Sequence, residues 1–214
     1  MNSTTDMTRA RANDSPTEWT DEDLLLAYRD HGHREAFQLL VERYETELYN
    51  YLRNYLGNAE MAEDAFQTTF LQVHLKCRQF EPGRRVRPWL YAVATNQAID
   101  AQRRNRRHKM VSLDRRLGED HGEEESGPLT DLLDSDQRGP VDLFQSAEEG
   151  EHVRQAVDAL PDSLRQIVLL VYYQGLKYRE AADVLEVPVG TVKSRLHVAI
   201  QKLNETLTPT QVLN

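Results

Sequence analysis

Apolar residues in the first part of this sequence recur every three or four positions, which is the spacing of one face of an α-helix. The pattern runs from about residue 21 to residue 56, and His31-Gly32-His33 interrupts it, so two helices are expected. Gly57-Asn58 ends the second helix, because glycine is common just after a helix C-terminus. The apolar face of that second helix comprises Phe37, Leu40, Val41, Tyr44, Leu48, Tyr51, Leu52 and Tyr55. This pattern predicts an all-α fold.

The same spacing predicts two more helices in the first half of the chain. One covers about residues 59–79 and ends at Glu81-Pro82-Gly83, where proline and glycine break it. The other begins near Pro88, since proline suits the first helical turn, and continues through Arg103-Arg104-Asn105-Arg106-Arg107. Residues 21–111 are therefore predicted to form one small helical domain.

Charge is unevenly distributed, although a formal net charge of −9 would argue against a nucleic-acid partner. Residues 84–109 carry about eight Lys and Arg against the single acid Asp100. Residues 112–151 carry about thirteen Asp and Glu against three Arg. The first part of that acidic stretch, residues 112–141, has several glycines and prolines and no helical period, so it predicts a flexible linker. Residues 1–20 are polar and are expected to form a disordered tail.

A second helical domain is predicted for residues 142–207, and residues 208–214 are expected to be a tail. Its first two helices cover about residues 143–159 and 161–174, because apolar residues again recur at helical spacing and Gly175 ends the second helix. The sequence therefore predicts two small helical domains joined by a flexible acidic linker.

The last two predicted helices have the lengths and spacing of a helix-turn-helix motif. A short helix over residues 178–185 carries the small residues Ala181 and Ala182, which allow another helix to cross closely. The final helix begins near Gly190, and its expected inward positions are Val192, Leu196, Ile200 and Leu203. The remaining polar positions could enter a DNA major groove. The alternative is an ordinary solvated helix in a helical bundle, and the pattern favours DNA binding.

Aromatic and basic residues alternate around the start of the fourth predicted helix. The run comprises Phe80, Arg84, Arg85, Arg87, Trp89 and Tyr91, and it leads on to the arginines between 103 and 107. Aromatic side chains beside arginine can stack on unpaired bases while the cations follow the phosphates. The alternative is that Trp89 and Tyr91 are core residues and the arginines form a solvated helix end. The pattern alone favours this alternative.

Three motifs in a fixed order make the chain similar to bacterial RNA polymerase sigma factors of the sigma-70 family, extracytoplasmic-function (ECF) group. Residues 62–71, AEDAFQTTFL, resemble the family helix that docks on the polymerase clamp. Residues 87–96, RPWLYAVATN, resemble its promoter-melting segment, which continues to residue 107 into the helix that reads the −10 element. Residues 159–161, ALP, and 190–196, GTVKSRL, resemble its C-terminal domain, which reads the −35 element. The chain departs from the family pattern at Thr68, Glu186 and Val198, where the family often has Glu, Gly and Arg.

The resemblance implies a sigma factor that directs promoter recognition and transcription initiation, with no enzymatic activity and no cofactor. The implied polymerase-binding residues are Asp64, Gln67, Thr68 and Leu71. The implied residues for −10 binding and melting are Trp89, Tyr91, Asn96, Arg103, Arg104 and Arg107. The implied residues for −35 binding are Arg179, Thr191, Lys193, Ser194, Arg195 and His197. The implied partners are core RNA polymerase, promoter DNA as duplex upstream and single strand where it is melted, and an anti-sigma factor.

Several classes of site find no support in the sequence. The only cysteine, Cys77, lies on an apolar helix face, which excludes an intrachain disulfide and predicts a core position. His31 and His33 lie at a bend with no third ligand in view, so no metal site is predicted. No apolar stretch is long enough to span a membrane and residues 1–20 lack the apolar part of a signal peptide, so a cytoplasmic location is expected.

Other functions are compatible with parts of the sequence. A stand-alone helix-turn-helix transcription regulator would leave the clamp-like helix unexplained, and an RNA-binding adaptor would leave the helix-turn-helix unexplained. The acidic linker also has two interpretations, as a mimic of RNA in a positively charged polymerase channel or as an extended, soluble spacer, and the spacer is favoured. The carboxylates concerned are Glu123, Glu124, Glu125, Asp131, Asp134 and Asp136.

Overall fold

The computed structural model describes residues 16–116 and 147–208, with side chains for residues 16–107 and 150–208. All regular secondary structure in these two stretches is helical, as the sequence predicts. The linker carboxylates between residues 123 and 136 lie outside the described residues, so the two interpretations of the linker both stay predictions.

Four helices form the N-terminal domain: α1 (Asp21–His31), α2 (Arg34–Leu56), α3 (Ala59–Lys76) and α4 (Val86–Arg116). Thr20 and Asp23 form a capping box at the start of α1, in which each side chain accepts a hydrogen bond from the other residue's N–H. Gly32 and Gly57 follow α1 and α2 with φ angles of 65° and 68°, which glycine adopts without strain. The predicted helix break and helix end at these glycines are confirmed.

Helix α2 is central in this domain and packs against α1, α3 and α4. Its buried residues are Ala36, Leu40, Tyr44, Leu48, Tyr51, Leu52 and Tyr55. This is the predicted face, although Phe37 and Val41 lie at its edge and are only partly buried. Full burial of a large apolar side chain contributes about 1.5–3 kcal/mol, so this face holds the other helices in place. Cys77 is a core residue with 7% exposure, as predicted.

Helix boundaries differ from the predicted ones at two places. Residues 77–79 form a separate 3-10 turn after α3 instead of its last turn. Helix α4 begins at Val86 and continues to Arg116, beyond Ser112, where the linker was predicted to begin. The polar sequence of this extension has no apolar period, so periodicity could not reveal it, whereas its arginines are good helix formers.

Residues 16–20, which the sequence predicts to belong to a disordered tail, have a defined conformation next to α1. Residues Pro16–Glu18 form a 3-10 turn, and Trp19 packs against the core. Arg43 holds this segment through a hydrogen bond from Nη2 to the Trp19 carbonyl at 3.1 Å and an ion pair with Asp21 at 2.5 Å. A single aromatic residue in a polar stretch was the available signal for this contact.

Four helices form the C-terminal domain: α5 (Ala147–Asp158), α6 (Asp162–Val168), α7 (Tyr178–Leu185) and α8 (Val189–Leu207). Helix α6 continues into a π-helical turn over Leu169–Tyr173, and Gly175 follows with a φ of 63°. Helices α7 and α8 pack against each other across a short turn. The predicted helix-turn-helix is therefore confirmed.

The inward face of α8 differs from the prediction at one residue. Val192, Leu196 and Ala199 are buried and Leu203 is partly buried, whereas Ile200 is 36% exposed. Positions 192, 196, 199 and 203 follow one stripe along a helix, and position 200 lies beside that stripe. The prediction for Ile200 was wrong because both 199 and 200 are apolar and spacing alone did not separate them.

The two domains pack against each other. Helix α4 contacts α7, and α2 contacts the π-helical turn after α6. Buried apolar side chains of both domains belong to one continuous cluster. Helix α7 thus lies between α4 and α8, and its small buried residues Ala181 and Ala182 suit close packing there.

Candidate nucleic-acid interface

The exposed polar side of the helix-turn-helix, here called the reader face, contains the residues predicted to bind duplex DNA. Lys193, Ser194 and His197 are exposed, whereas Thr191 and Arg195 are half-buried. Arg179 of α7 is exposed as well. The opposite side of α8 is fixed by Val192 and Leu196, which are 0% and 3% exposed. A rigid helix therefore presents hydrogen-bonding groups outward, as a major-groove reader requires.

Helix α4 and α3 together form an open groove, here called the basic groove, with a volume of about 350 Å³. It is lined by Thr68, Gln97, Asp100, Arg103, Arg104 and Arg107. Asn96, which precedes the groove on α4, is also exposed. Arg103 makes an ion pair with Asp100 at 3.7 Å, and this pair is largely solvated. The three arginines make the groove positively charged and open, which suits the phosphates of a nucleic-acid strand.

The two aromatic residues predicted to help in melting lie in different environments. Trp89 is half-buried and packs edge-to-face on Phe80, with ring centroids 5.1 Å apart. Tyr91 is fully buried, with 0% exposure, and its hydroxyl bonds to the C-terminal domain. Trp89 therefore keeps an open side that a base could contact, whereas Tyr91 can reach a base only after the domains separate.

Tyr91 belongs to a polar network that joins the two domains. Its single hydroxyl proton is shared between two acceptors, the Glu47 carboxylate and the side-chain amide oxygen of Gln174, the latter at 2.7 Å. Arg87 donates from Nη2 to the same Glu47 carboxylate at 2.6 Å, and its guanidinium lies 5.6 Å from the centre of the Tyr91 ring. Burial and the Glu47 carboxylate raise the pKa of Tyr91 well above its usual range, so the hydroxyl keeps its proton.

A second set of polar contacts joins the N-terminal domain to α6. Arg165 donates from Nη2 to the Tyr55 carbonyl at 3.1 Å, and the Gln166 amide donates to the Tyr55 hydroxyl. Arg106 of α4 makes an ion pair with Asp162 at 2.6 Å. That pair contributes little because its side chains are 70% and 42% exposed. The hydrogen bonds to Tyr55 therefore contribute more to this contact than the ion pair does.

The outer side of α3, here called the docking face, carries the residues predicted to bind the polymerase. Asp64 and Gln67 are exposed, and Thr68 is half-buried where it also lines the basic groove. Leu71 is 54% exposed, and Leu75, which the sequence analysis did not single out, is 59% exposed. These two leucines are one turn apart on the same side of the helix. Adjacent exposed apolar side chains with polar neighbours are typical of protein-contact surfaces.

Metal ligation and membrane insertion find no site in the described stretches. Within residues 16–107 and 150–208, no group of three His, Cys, Asp or Glu side chains could hold a metal ion. No described helix is both long and apolar enough to cross a membrane. His33 instead caps α2, where its Nδ1 accepts a hydrogen bond from the Ala36 N–H at 3.2 Å.

Two family profiles match the chain in the order of its domains. Sigma-70 region 2 matches residues 40–108, and Sigma-70, region 4 matches residues 151–203. The ECF RNA polymerase sigma factor SigW of Bacillus subtilis (strain 168) is 30% identical over 176 residues, which are 82% of this chain and 91% of SigW. The chain is an ECF sigma factor of the sigma-70 family. It directs transcription initiation by RNA polymerase.

Two solved structures share the fold of this sigma factor. CnrH in complex with the cytosolic domain of CnrY aligns with a TM-score of 0.60 and 23% identity, over 88% of this chain and 97% of CnrH. The sigma factor RpoE in complex with the anti-sigma factor NepR from Bartonella quintana aligns with a TM-score of 0.59 and 21% identity, over 83% and 99% of the two chains. These alignments support the two-domain helical architecture.

Sequence reasoning missed the polar residues that this sigma factor uses between its domains. Gln166 and Gln174 lie in or next to apolar helical segments, where only the apolar positions were considered. A glutamine within an otherwise buried stretch was the available signal, because a buried amide needs a hydrogen-bond partner. Leu75 could have been found by extending the spacing of the docking face one turn beyond Leu71.

Proposed function

We propose that this sigma factor binds core RNA polymerase through the docking face, holds the melted strand on α4 and reads duplex DNA with the reader face. The observation that carries the proposal is the open basic groove, which lies directly beside the docking face because Thr68 borders both. A polymerase bound to α3 would therefore deliver melted DNA to α4. The polymerase performs the chemistry, and the sigma factor supplies positioning without a catalytic residue.

The proposal gives each surface a distinct role. Arg104 and Arg107 would bind phosphates in the groove, while Trp89 would stack on an unpaired base next to it. On the reader face, Arg195 would bind a phosphate, whereas Lys193 and His197 would reach base edges in the major groove. Phosphate contacts supply affinity and register, and base contacts supply sequence preference.

The two domains are in contact in the structure, but the promoter elements that they serve are not adjacent. Elements about one and a half DNA turns apart are separated by roughly 50 Å. Because α4 packs on α7, both elements cannot be bound while the domains remain in this arrangement. The domains would therefore separate on the polymerase. The linker of about thirty residues has an extended limit near 100 Å, so it can span the distance.

An anti-sigma factor and a cytoplasmic site of action complete the proposal. RpoE from Bartonella quintana was solved with the anti-sigma factor NepR and has the fold of this chain. A protein of that kind would block this sigma factor by covering the docking face, where Leu71 and Leu75 are exposed. Core polymerase and the chromosome occupy the cytoplasm, so the chain is expected to act there.

Reconstitution with purified core polymerase tests the proposal. The chain and core should form a stable holoenzyme, which should select from random DNA a motif with two elements at fixed spacing. A Ser194→Ala, His197→Ala variant should keep its affinity for core but lose the upstream element. A stand-alone regulator would instead select DNA in the absence of core and would not bind core. Core that selects the same DNA with and without the chain would contradict the proposal.

A further inference from the structure

We infer that the space between the two packed domains, here called the interdomain cleft, binds a small organic phosphate and that the bound ligand holds the domains together. The cleft has a volume of about 220 Å³. Helices α2 and α4 of the N-terminal domain line one side, and α6 of the C-terminal domain lines the other. The site itself is independent of the proposed function, whereas its effect on binding to core polymerase rests on that function.

The base of the interdomain cleft is largely apolar. It is formed by the ring of Tyr55, which is 1% exposed, and by Ile99, which is half-buried. The apolar part of a small molecule is favourably buried against such side chains. The volume is below the range of about 300–1,000 Å³ that is usual for drug-sized ligands, so the ligand is smaller than these.

Two arginines lie at the mouth of the cleft. Arg103 and Arg106 are one turn apart on α4, and their side chains are 67% and 70% exposed. Asp162 is the one carboxylate among the described lining residues, so the two guanidinium groups leave the cleft with a net positive charge. A guanidinium binds phosphate oxygens through two parallel N–H donors, which favours a phosphorylated ligand over a neutral one.

Two further donors in the cleft have no acceptor. The Tyr55 hydroxyl accepts a hydrogen bond from Gln166, but its own proton has no acceptor in the described stretches. The Gln102 side-chain amide is half-buried and likewise has no hydrogen-bond partner there. A phosphate group carries three strong acceptor oxygens, whereas a carboxylate carries two. The number of available donors therefore favours a phosphate.

The site is complete only while the domains are packed. Tyr55 and Gln102 belong to the N-terminal domain, whereas Asp162 and Gln166 belong to the C-terminal domain. Separation of the domains divides the site and removes its affinity. A ligand that binds one arrangement stabilises it by mass action, so this ligand opposes the separation that the proposed function requires.

Titration of the full isotope-labelled chain with phenyl phosphate tests the site. The side-chain amide NMR signals of Gln102 and Gln166 should shift, with half-saturation at about 1 mM, as expected for a ligand of this size. The amide of Gln38, near the opposite end of α2, should not shift. Phenol lacks the charge, inorganic phosphate lacks the apolar body and benzoate has only two acceptor oxygens, so each should bind at least about fivefold more weakly.

Substitutions on the two sides of one ion pair should have opposite effects. Arg106 lies 2.6 Å from the Asp162 carboxylate, which therefore competes with a phosphate for the guanidinium. Arg106→Gln should weaken phenyl phosphate binding at least about fivefold, whereas Asp162→Asn should strengthen it about two- to fivefold. Arg85→Gln, which replaces an exposed arginine that does not line the cleft, should bind like the parent. Thermal unfolding of each variant should remain close to that of the parent, which excludes loss of the fold.

Core polymerase tests whether the bound ligand holds the domains together. Labels at the exposed positions Glu45 and Gln201 report domain separation by energy transfer, which should fall as core is added. Phenyl phosphate at about 10 mM, roughly tenfold above half-saturation, should raise the core concentration at the midpoint of this change about tenfold. Inorganic phosphate at the same concentration should not move the midpoint, and Arg106→Gln should show a smaller shift than the parent.

The possible outcomes distinguish this inference from the proposed function. Unshifted Gln102 and Gln166 signals would overturn the site, as would binding of benzoate or inorganic phosphate as tight as that of phenyl phosphate. Binding of phenyl phosphate that leaves the core midpoint unchanged would overturn the inference that the ligand holds the domains together. A chain that does not bind core even without phenyl phosphate would contradict the proposed function, while the NMR titration would still decide the site.

Discussion

The Tyr91 hydroxyl lies 2.7 Å from the side-chain amide of Gln174, across the boundary between the two domains. Tyr91 lies in the segment predicted to melt promoter DNA, so under the proposed function this contact would hold that segment until the domains separate. Gln174→Ala removes one of the two acceptors that share the Tyr91 hydroxyl proton, and a hydrogen bond of this kind is typically worth about 1 kcal/mol. The fraction of separated domains should therefore rise about 5-fold. Energy transfer between labels at the exposed positions Glu60 and Gln201 can measure it.

A matched control for this prediction is Gln155→Ala. Gln155 donates a hydrogen bond to Glu151 within α5, so its loss should leave the domain arrangement unchanged. Equal energy transfer in Gln174→Ala and the parent chain would show that this hydrogen bond does not hold the domains together.

Alkaline pH should weaken the same interface through Tyr55. Burial raises the pKa of Tyr55 to about 12 from the ordinary value of 10.0. The folded state therefore binds the phenolic proton more tightly than the unfolded state does. This contribution to stability is complete below pH 10.0 and is lost as the pH rises to about 12. Denaturant unfolding over this pH range should show the loss, which is about 2–3 kcal/mol for this group.

Tyr55→Phe is the control for the pH dependence. The variant cannot ionise at this position, so its stability should fall less steeply in alkali. Tyr51 and Tyr91 also have pKa values raised by burial, so part of the dependence should remain. An alkaline slope identical to that of the parent would contradict the role given to Tyr55.

Polymerase docking should depend on Asp64 and on the exposed leucines beside it. Asp64→Arg reverses the charge of an exposed side chain, and Leu75→Ser removes apolar area without opening a cavity. Each should lower core affinity about tenfold or more, which corresponds to about 1.4 kcal/mol or more, with an unchanged unfolding temperature. Titration of labelled core measures the affinity.

The control is Glu45→Arg, a charge reversal at an exposed position on α2, which should bind core like the parent. If all three variants bound core with the affinity of the parent, the docking face would be removed from the proposal.

The reader face should separate into phosphate and base contacts. Arg195→Ala should weaken binding to every duplex sequence and reduce the slope of log affinity against log salt by about 1. Ser194→Ala should instead change the preference at one base pair, because its exposed hydroxyl can reach a base edge. Gln201→Ala, further along α8, should change neither. If both Arg195→Ala and Ser194→Ala matched the parent in slope and preference, α8 would not be the recognition helix.

Helical periodicity predicted the architecture well wherever apolar residues face a core. The stripe from Leu40 to Tyr55 and the short helix from Tyr178 to Leu185 are both where the spacing placed them. Two features could not be predicted in this way. The extension of α4 beyond Ser112 to Arg116 is too short to show a period of apolar residues, and the contacts of Gln174 and Tyr55 depend on how the domains pack. Periodicity reports one buried face of an element and carries no information about which element of the other domain packs against it.

The turn of the helix-turn-helix contains a strained residue, Glu186, at a position where the family often has glycine. Its φ of 53° and ψ of 42° are left-handed, and it is the only non-glycine residue with positive φ in the described stretches. A residue with a Cβ pays about 1–2 kcal/mol for this conformation. Glu186 is exposed, so its side chain offers little packing in return. Glu186→Gly should therefore stabilise the chain by about 1 kcal/mol, because part of the relieved strain is offset by the greater freedom of glycine in the unfolded state.

Gly57→Ala is the reverse substitution and serves as the control. A Cβ at this position meets no atom within 4 Å, so the only cost is the backbone strain of alanine at a φ of 68°. Urea unfolding should show a gain for the first variant and a loss of similar size for the second, and the absence of a gain in Glu186→Gly would show that the turn stores no conformational strain.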